Sequence, residues 1–475
     1  MACGTDGASG NAGKDGEPGK AGGDGKAGTP GTGSSSGGPS AAHTLSFAPV
    51  SAPATDEDKR AVLATSKARI DGRDAPISFV TEARSGQAFG AATFGLIVDK
   101  NGAPIKNADG SSFVSPSNDF SSILKVGTKL YEITHFETTP ASMYLSELSQ
   151  DAAGNLAIQS TKPIDFSGVN GLWTPCAGSV SPWNTHLGSE EYPHDARQYE
   201  TAETLAQVTG SFNTNMVRYW GLDPATATVA QAKAAFNPYN YGWLTEVSLD
   251  AAAKPTPKKH YAAGRRALEL AYVMPDQKTV YLTDDGTNDA FYMFIAKTPG
   301  DLSEGRLFAA RWFQTSPAGA PGGNADISWI ELGPSAQDSQ VRALIDGGIK
   351  FSDIFEVESP TGGTCPSAGS GFRSTVVDLG YGVVTECLKL KAGQELAASR
   401  LESRRYAAYL GATTELRKNE GMTFDPDGSR LYVAFSELNN GTMDNHPTRD
   451  LGGPNHIRLA ENPCGAVYEY VISPD

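Results

Sequence analysis

Short apolar runs separated by turn residues dominate the chain. Ala92–Asp99 followed by Lys100-Asn101-Gly102 reads as a strand and a tight turn, and Lys129–Ile133 and Ser142–Leu148 read as further strands. Tyr241–Val247, Ala290–Ala296 and Arg306–Phe313 continue the pattern, with a Pro-Gly turn joining the last two. Helical spacing is confined to Tyr199–Val208, Thr228–Phe236, Ser335–Asp346 and Gln394–Leu410. The first two read as an insertion between sheets, and the last two as decorations on the rim. The predicted class is all-β with helical insertions.

Two segments are alike. Glu269 opens a short apolar run, a Pro275-Asp276 turn and the run Val280-Tyr281-Leu282. Glu420 opens the same series, with Pro426-Asp427 and Leu431-Tyr432-Val433. Each predicts a β-hairpin with a glutamate at its start. Recurrence at long range predicts equivalent blades of a radial β-propeller, where equivalent positions converge on the axis. Glu269 and Glu420 are therefore expected to face one site. Oxygen-rich stretches follow each hairpin, with Asp284, Asp285 and Asp289 after the first and Glu437, Asn439 and Asn440 after the second. They suit a hard cation such as calcium, or a solvated turn.

Residues 1–40 read differently. Glycine recurs at every third position from Gly4 to Gly31, but only Pro18 and Pro30 occupy the third place of a triplet. A flexible collagen-like spacer is expected, ahead of a folded domain over 41–475. Ala2-Cys3-Gly4 matches the end of a bacterial lipobox, so Cys3 is expected as a lipid anchor on an exported protein.

The formal net charge of −15 argues against nucleic acid or anionic lipid as partner. An acidic protein binds phosphate only with cations placed to invert the local field. Five cysteines leave at least one outside intrachain pairing. Cys365 and Cys387 flank a Gly/Ser-rich loop and a strand-like run, and are expected to form a disulfide.

The densest chemistry lies between Cys176 and Asp195, CAGSVSPWNTHLGSEEYPHD. A thiol, the pair Glu190-Glu191, His186, His194 and Asp195 share one turn-rich segment, which is costly to bury without a metal or substrate. The histidines fit no zinc spacing, and no G-x-S-x-G elbow supports a serine hydrolase.

The run from Cys176 to Glu191 resembles the signature of the PhoX-type alkaline phosphatases, Cys-A-G-x-x-[ST]-P-W-x-T leading to a Glu-Glu pair. Tyr241–Val247 and Asn462–Glu469 also look like that family. The resemblance covers about 125–470 and stops short of blade segments with which family members usually continue. It implies a secreted β-propeller phosphomonoesterase with iron and calcium at its site. Its ligands would come from Cys176, Glu190 or (preferred) Glu191, Glu269 and Glu420, with Asp284, Asp285 and Glu437 as further oxygen donors. Where relatives carry Arg two residues before the second hairpin's glutamate, this chain has Lys418, with Arg417 beside it; these are the candidate phosphate contacts. Two alternatives stay open: a non-catalytic, metal-binding surface propeller, and another propeller hydrolase such as a phytase or lactonase.

Overall fold

A computed structural model of the chain describes residues 44–58, 64–379, 382–425, 430–449 and 454–472. The Gly-rich tract, Cys3, the Pro426-Asp427 turn and the last three residues lie outside the described residues. The chain divides into a unit up to Glu82 and a larger one from Ala83. The described part of the first holds a small antiparallel sheet of Leu45–Phe47, Lys67–Ile70 and Arg73–Pro76.

The second unit is mostly β, built of antiparallel sheets in which neighbours in sequence are mostly neighbours in space. Asn118–Val126, Lys129–Phe136, Ser142–Gln150 and Leu156–Pro163 form a four-stranded meander. Gly178–Val180, His186–Gly188, Leu244–Leu249 and Pro255–His260 form another. The expected strand at Ala92–Asp99 is reduced to Ala92–Thr93 plus isolated bridges at Leu96 and Val98.

Both predicted hairpins form. Leu268–Val273 pairs with Thr279–Asp284, and Asn419–Phe424 with Arg430–Phe435. Each has a register break at its glutamate, between Leu268 and Ala271 and between Asn419 and Met422. A bulge adds a residue to one strand and re-aims its side chain. The first hairpin continues into Tyr292–Thr298, Asp301–Gln314 and Ala325–Glu331, the second into Ala466–Val471. Thr283 in the first hairpin donates from Oγ1 to the Glu420 carbonyl at 2.9 Å. The two similar segments therefore touch.

The helices are short. The run Tyr199–Val208 is split between Ala196–Glu200 and Leu205–Thr209, the second held by a capping box from Thr204 and Gln207. Gln394–Leu410 breaks at Glu402 into Glu395–Leu401 and Ser403–Leu410. These helices do not decorate a rim. Ala397 through Ala407 are buried, including Arg400, Arg404 and Arg405. Among the described residues no helix is long and apolar enough to cross a membrane.

Cys365 and Cys387 are disulfide-bonded, as expected. The bond closes a loop of sequence separation 22 around the strand Arg373–Asp378. Replacing both cysteines by serine is expected to lower stability by about 3 kcal/mol, read as a fall in urea midpoint. The bond also fits an oxidising, extracytoplasmic compartment.

Candidate metal centre

The adjacent side chains of Glu190 and Glu191, just beyond the strand His186–Gly188, enter different surroundings. Glu190 turns into the core. Its Oε1 accepts from Trp173 N–H at 3.0 Å and meets Lys259 Nζ at 2.8 Å; its Oε2 accepts from Gly242 N–H and Trp243 N–H at 3.1 and 3.2 Å. Both side chains of the ion pair are wholly buried, and Lys259 lies over the Tyr241 ring. Burial pushes Glu190 up and Lys259 down, while their mutual attraction opposes both shifts. Glu190 thus has its oxygens engaged by protein donors, and the structure leaves it outside the acidic group.

Glu191 turns the other way. It is fully buried and neither carboxylate oxygen has a hydrogen-bond partner among the described residues. Glu269 and Asp285 each bring an oxygen into the same group, within 4.8 Å of one another. A second group joins Glu137, Cys176 and Glu191 on the same criterion, so Glu191 belongs to both. Cys176 is buried and disulfide-bonded in this structure, with Sγ 3.6 Å from Asp119 Oδ2 and 3.6 Å from Glu269 Oε1, so the predicted thiolate ligand exists only once that bond is reduced.

Burial, with the neighbouring carboxyl of Glu269, pushes Glu191 well above the ordinary carboxylate range. Burial raises Glu269 to about 8, and burial with Asp119 nearby raises Glu137 to about 7. Such groups are costly to ionise in the metal-free protein. Their folded pKa values exceed the unfolded value of 4.5, so the folded state holds more protons between pH 4.5 and about 8. Stability contributed by this excess is full below pH 4.5 and is lost as pH rises through about 8. Chelator-treated protein is therefore expected to melt at progressively lower temperature from pH 5 to 8, and calcium to flatten that profile. A chelated protein whose melting point is flat across this range would contradict the assignment.

The remaining candidates fall into distinct places. Lys418 Nζ bridges Asp285 Oδ1 at 3.1 Å and Glu420 Oε1 at 2.9 Å, at the edge of the acidic group. Burial opposes its charge, but Asp285 and Glu420 raise its pKa and keep it protonated. Tyr192 donates its phenol to Asp285 Oδ2. Arg417 is turned away, paired with Glu437 at 3.0 Å and bonded to Thr287 Oγ1. Glu437 is thereby occupied and lies outside the carboxylate groups. Asp284 is held by both ends of the Arg404 guanidinium, with Nε at 2.9 Å, and also stays outside.

Thr174, Tyr192 and Lys418 have φ of 36°, 42° and 47°. Left-handed backbone at non-glycine residues costs of order 1 kcal/mol each and persists only where the surroundings impose it. Here it sits beside Cys176, Glu191 and Glu420.

The histidines of the segment are structural. His135 Nδ1 meets the Cys176 carbonyl at 2.7 Å, His135 Nε2 meets His186 Nε2 at 2.6 Å, and His186 Nδ1 meets Ser122 Oγ at 2.8 Å. Burial lowers both rings, His135 to about 4. The neutral chain is satisfied when His135 Nδ1–H donates to Cys176 O, His186 Nε2–H to His135, and Ser122 to His186. His194 bonds the Gln207 carbonyl.

Glu137, Asp119 and Tyr192 were not legible as site residues. Glu137 and Asp119 are lone acids beside paired strands, with no motif around them. Tyr192 directly follows the Glu-Glu pair, and that adjacency was the only available signal.

The buried carboxyl groups of Glu191, Glu269 and Asp285, gathered on mostly β architecture, form a group that could hold a metal ion. The chain belongs to the alkaline phosphatase PhoX family, whose sequence model matches residues 132–473. A solved structure of Pseudomonas fluorescens PhoX in complex with vanadate, a transition state analogue, aligns at 18% identity and TM-score 0.48, covering 82% of this chain and 72% of that one. A candidate 6-phosphogluconolactonase from Bacteroides uniformis aligns at 11% identity and TM-score 0.23, covering 75% and 90%. No curated protein matches the chain.

Proposed function

We propose that this chain hydrolyses phosphate monoesters with iron and calcium bound at Glu191, Glu269 and Asp285, with Glu137 and Cys176 on the adjoining side. The observation that carries the reading is the set of buried oxygens of Glu191 and Glu269 that accept no hydrogen bond among the described residues. Carboxylates suit both iron and calcium, and Cys176, once its disulfide is reduced to a thiolate, would suit the softer ion. When bound, the cations supply charge neutralisation and Lewis acidity toward phosphate oxygens.

The chain's own groups do the rest. Lys418, held between Asp285 and Glu420, presents a fixed ammonium to the substrate's phosphoryl oxygens. It acts as a point charge, without the bidentate fork of arginine. Arg417 reaches the same edge only by leaving Glu437, so its role in phosphate binding is secondary. Tyr192 orients Asp285 through its phenol. Glu420 holds Lys418 in place at 2.9 Å. A radial β-propeller explains why equivalent bulged glutamates converge. Family membership and the disulfide support an exported protein at the cell envelope.

The test is p-nitrophenyl phosphate hydrolysis at alkaline pH with calcium added, wild type beside Glu191→Gln. Activity abolished by both EDTA and the substitution is expected. Folded, metal-bound wild type that turns over no phosphoester would leave the non-catalytic binding propeller in its place.

A further inference from the structure

Beyond the acidic group, the broken helical pair builds a cluster of buried arginines. Two of them, Arg404 and Arg405, have counter-charges. Arg404 holds Asp284, and Arg405 holds Asp195 at 2.6 Å, Glu386 at 2.7 Å and Glu402 at 2.8 Å. Arg266 and Arg400 differ: among the described residues neither has a carboxylate within ion-pair range, and Asp284, whose charge favours that of Arg266, is itself held by Arg404. Arg266 is 3% exposed. Its Nη2 donates to the Ala263 carbonyl and its plane lies 4.1 Å from the Tyr292 ring centre, but Nε and Nη1 have no hydrogen-bond partner among the described residues. Arg400 gives its Nη groups to the carbonyls of Leu332, Gly305 and Pro334 and to Ser399 Oγ, leaving Nε unpartnered.

The fold holds Arg266 in place. Gly264 has φ +84°, and a Cβ there would lie 2.8 Å from Arg266 Nη2 and 2.6 Å from Ser403 Oγ. Glycine is required for the guanidinium to fold back over this turn. Arg266 then lines a cavity of about 40 Å³ shared with Arg265, Arg404, Arg405, Asp195 and Glu402. Both of those carboxylates are engaged by Arg405. The cavity has room for roughly two or three waters, or one ion of similar bulk; a phosphate ester is too large for it.

A buried cation without a counter-charge costs several kcal/mol. Burial, together with the charge of Arg266, lowers Arg400 to about 9. Water would satisfy the free N–H groups and leave the charge uncompensated; a small anion does both. We infer that the Arg266 cavity, which Tyr192 also lines, is a binding site for a monovalent, halide-sized anion.

The experiment uses the full metal-loaded protein, exchanged into sodium gluconate. Bromide is titrated at constant ionic strength while thermal unfolding is followed, and chlorine-35 NMR linewidth is measured on the same protein with chloride. A saturable rise in melting temperature with bromide is expected, with chloride line broadening that bromide reverses. Arg266→Met should lose both effects and, in gluconate, melt at or above the wild-type temperature, because the uncompensated charge is gone. Equal response to bromide and gluconate, or a bromide response that survives in Arg266→Met, would overturn the site. Should Arg266→Met fail to fold, the wild-type linewidth decides alone: absence of broadening reversed by bromide rejects the inference.

Discussion

Replacing Glu191 by glutamine is expected to abolish the proposed phosphomonoester hydrolysis and, in chelator-treated protein at pH 8, to raise stability. The two effects have opposite signs for one reason. Glu191 is fully buried, lacks protein donors, and faces Glu269 and Asp285. Without a cation it is a burden, and with one it is a ligand shared by both acidic groups. Even residues that only orient a ligand typically change metal affinity 10–100-fold, so loss of the shared ligand should weaken binding by about 100-fold or more. The stability gain in the chelated form should be about 1 kcal/mol or more, by relief of charge crowding at a dry site. Metal titration and urea unfolding check the two halves. A substitution that lowers apo stability as well as activity would mark Glu191 as a structural residue.

Lys259→Met gives the second large effect, and it falls on folding. The substitution strands Glu190 as a buried carboxylate, with backbone amides as its remaining donors. Breaking a buried pair from one side costs about 3–5 kcal/mol. Glu190 also connects the segments that carry ligands. Trp173 precedes Cys176, Glu191 is the next residue, and Leu268 N–H donates to the Glu190 carbonyl at 3.1 Å just before Glu269. Destabilisation should therefore come with weaker metal binding. The double variant Glu190→Gln/Lys259→Met should recover part of the loss, because no lone charge remains. Equal unfolding midpoints for Lys259→Met and wild type would contradict this account.

The contrast between Glu190 and Glu191 shows what can be read from sequence. Neighbouring carboxylates are separated here, as they also are at Asp284 and Asp285. The sequence does not say which of each pair faces the core. That choice depends on Lys259 and Arg404, which lie 69 and 120 residues away in sequence. The similar hairpins were legible because Pro-Asp turns and apolar-Tyr-apolar strands are local patterns; of their two glutamates, Glu269 lies in the acidic group and Glu420 pairs with Lys418 at its edge. The bulges at those glutamates were not legible, since they arise from pairing. Gln394–Leu410 kept its helical period but not its position: Arg400, Arg404 and Arg405 look like a solvated face until their distant acceptors are known. Glu137 and Asp119 carried no signal, because a lone acid near a strand end has no spacing to reveal it.

Metal analysis tests the central claim most directly. Protein produced with iron and calcium both available should retain each ion after desalting, and Glu191→Gln with Glu269→Gln should lose them while keeping its circular dichroism. Wild-type protein that is folded yet carries neither ion, and gains none on incubation with either, would contradict a metal centre at Glu191, Glu269 and Asp285.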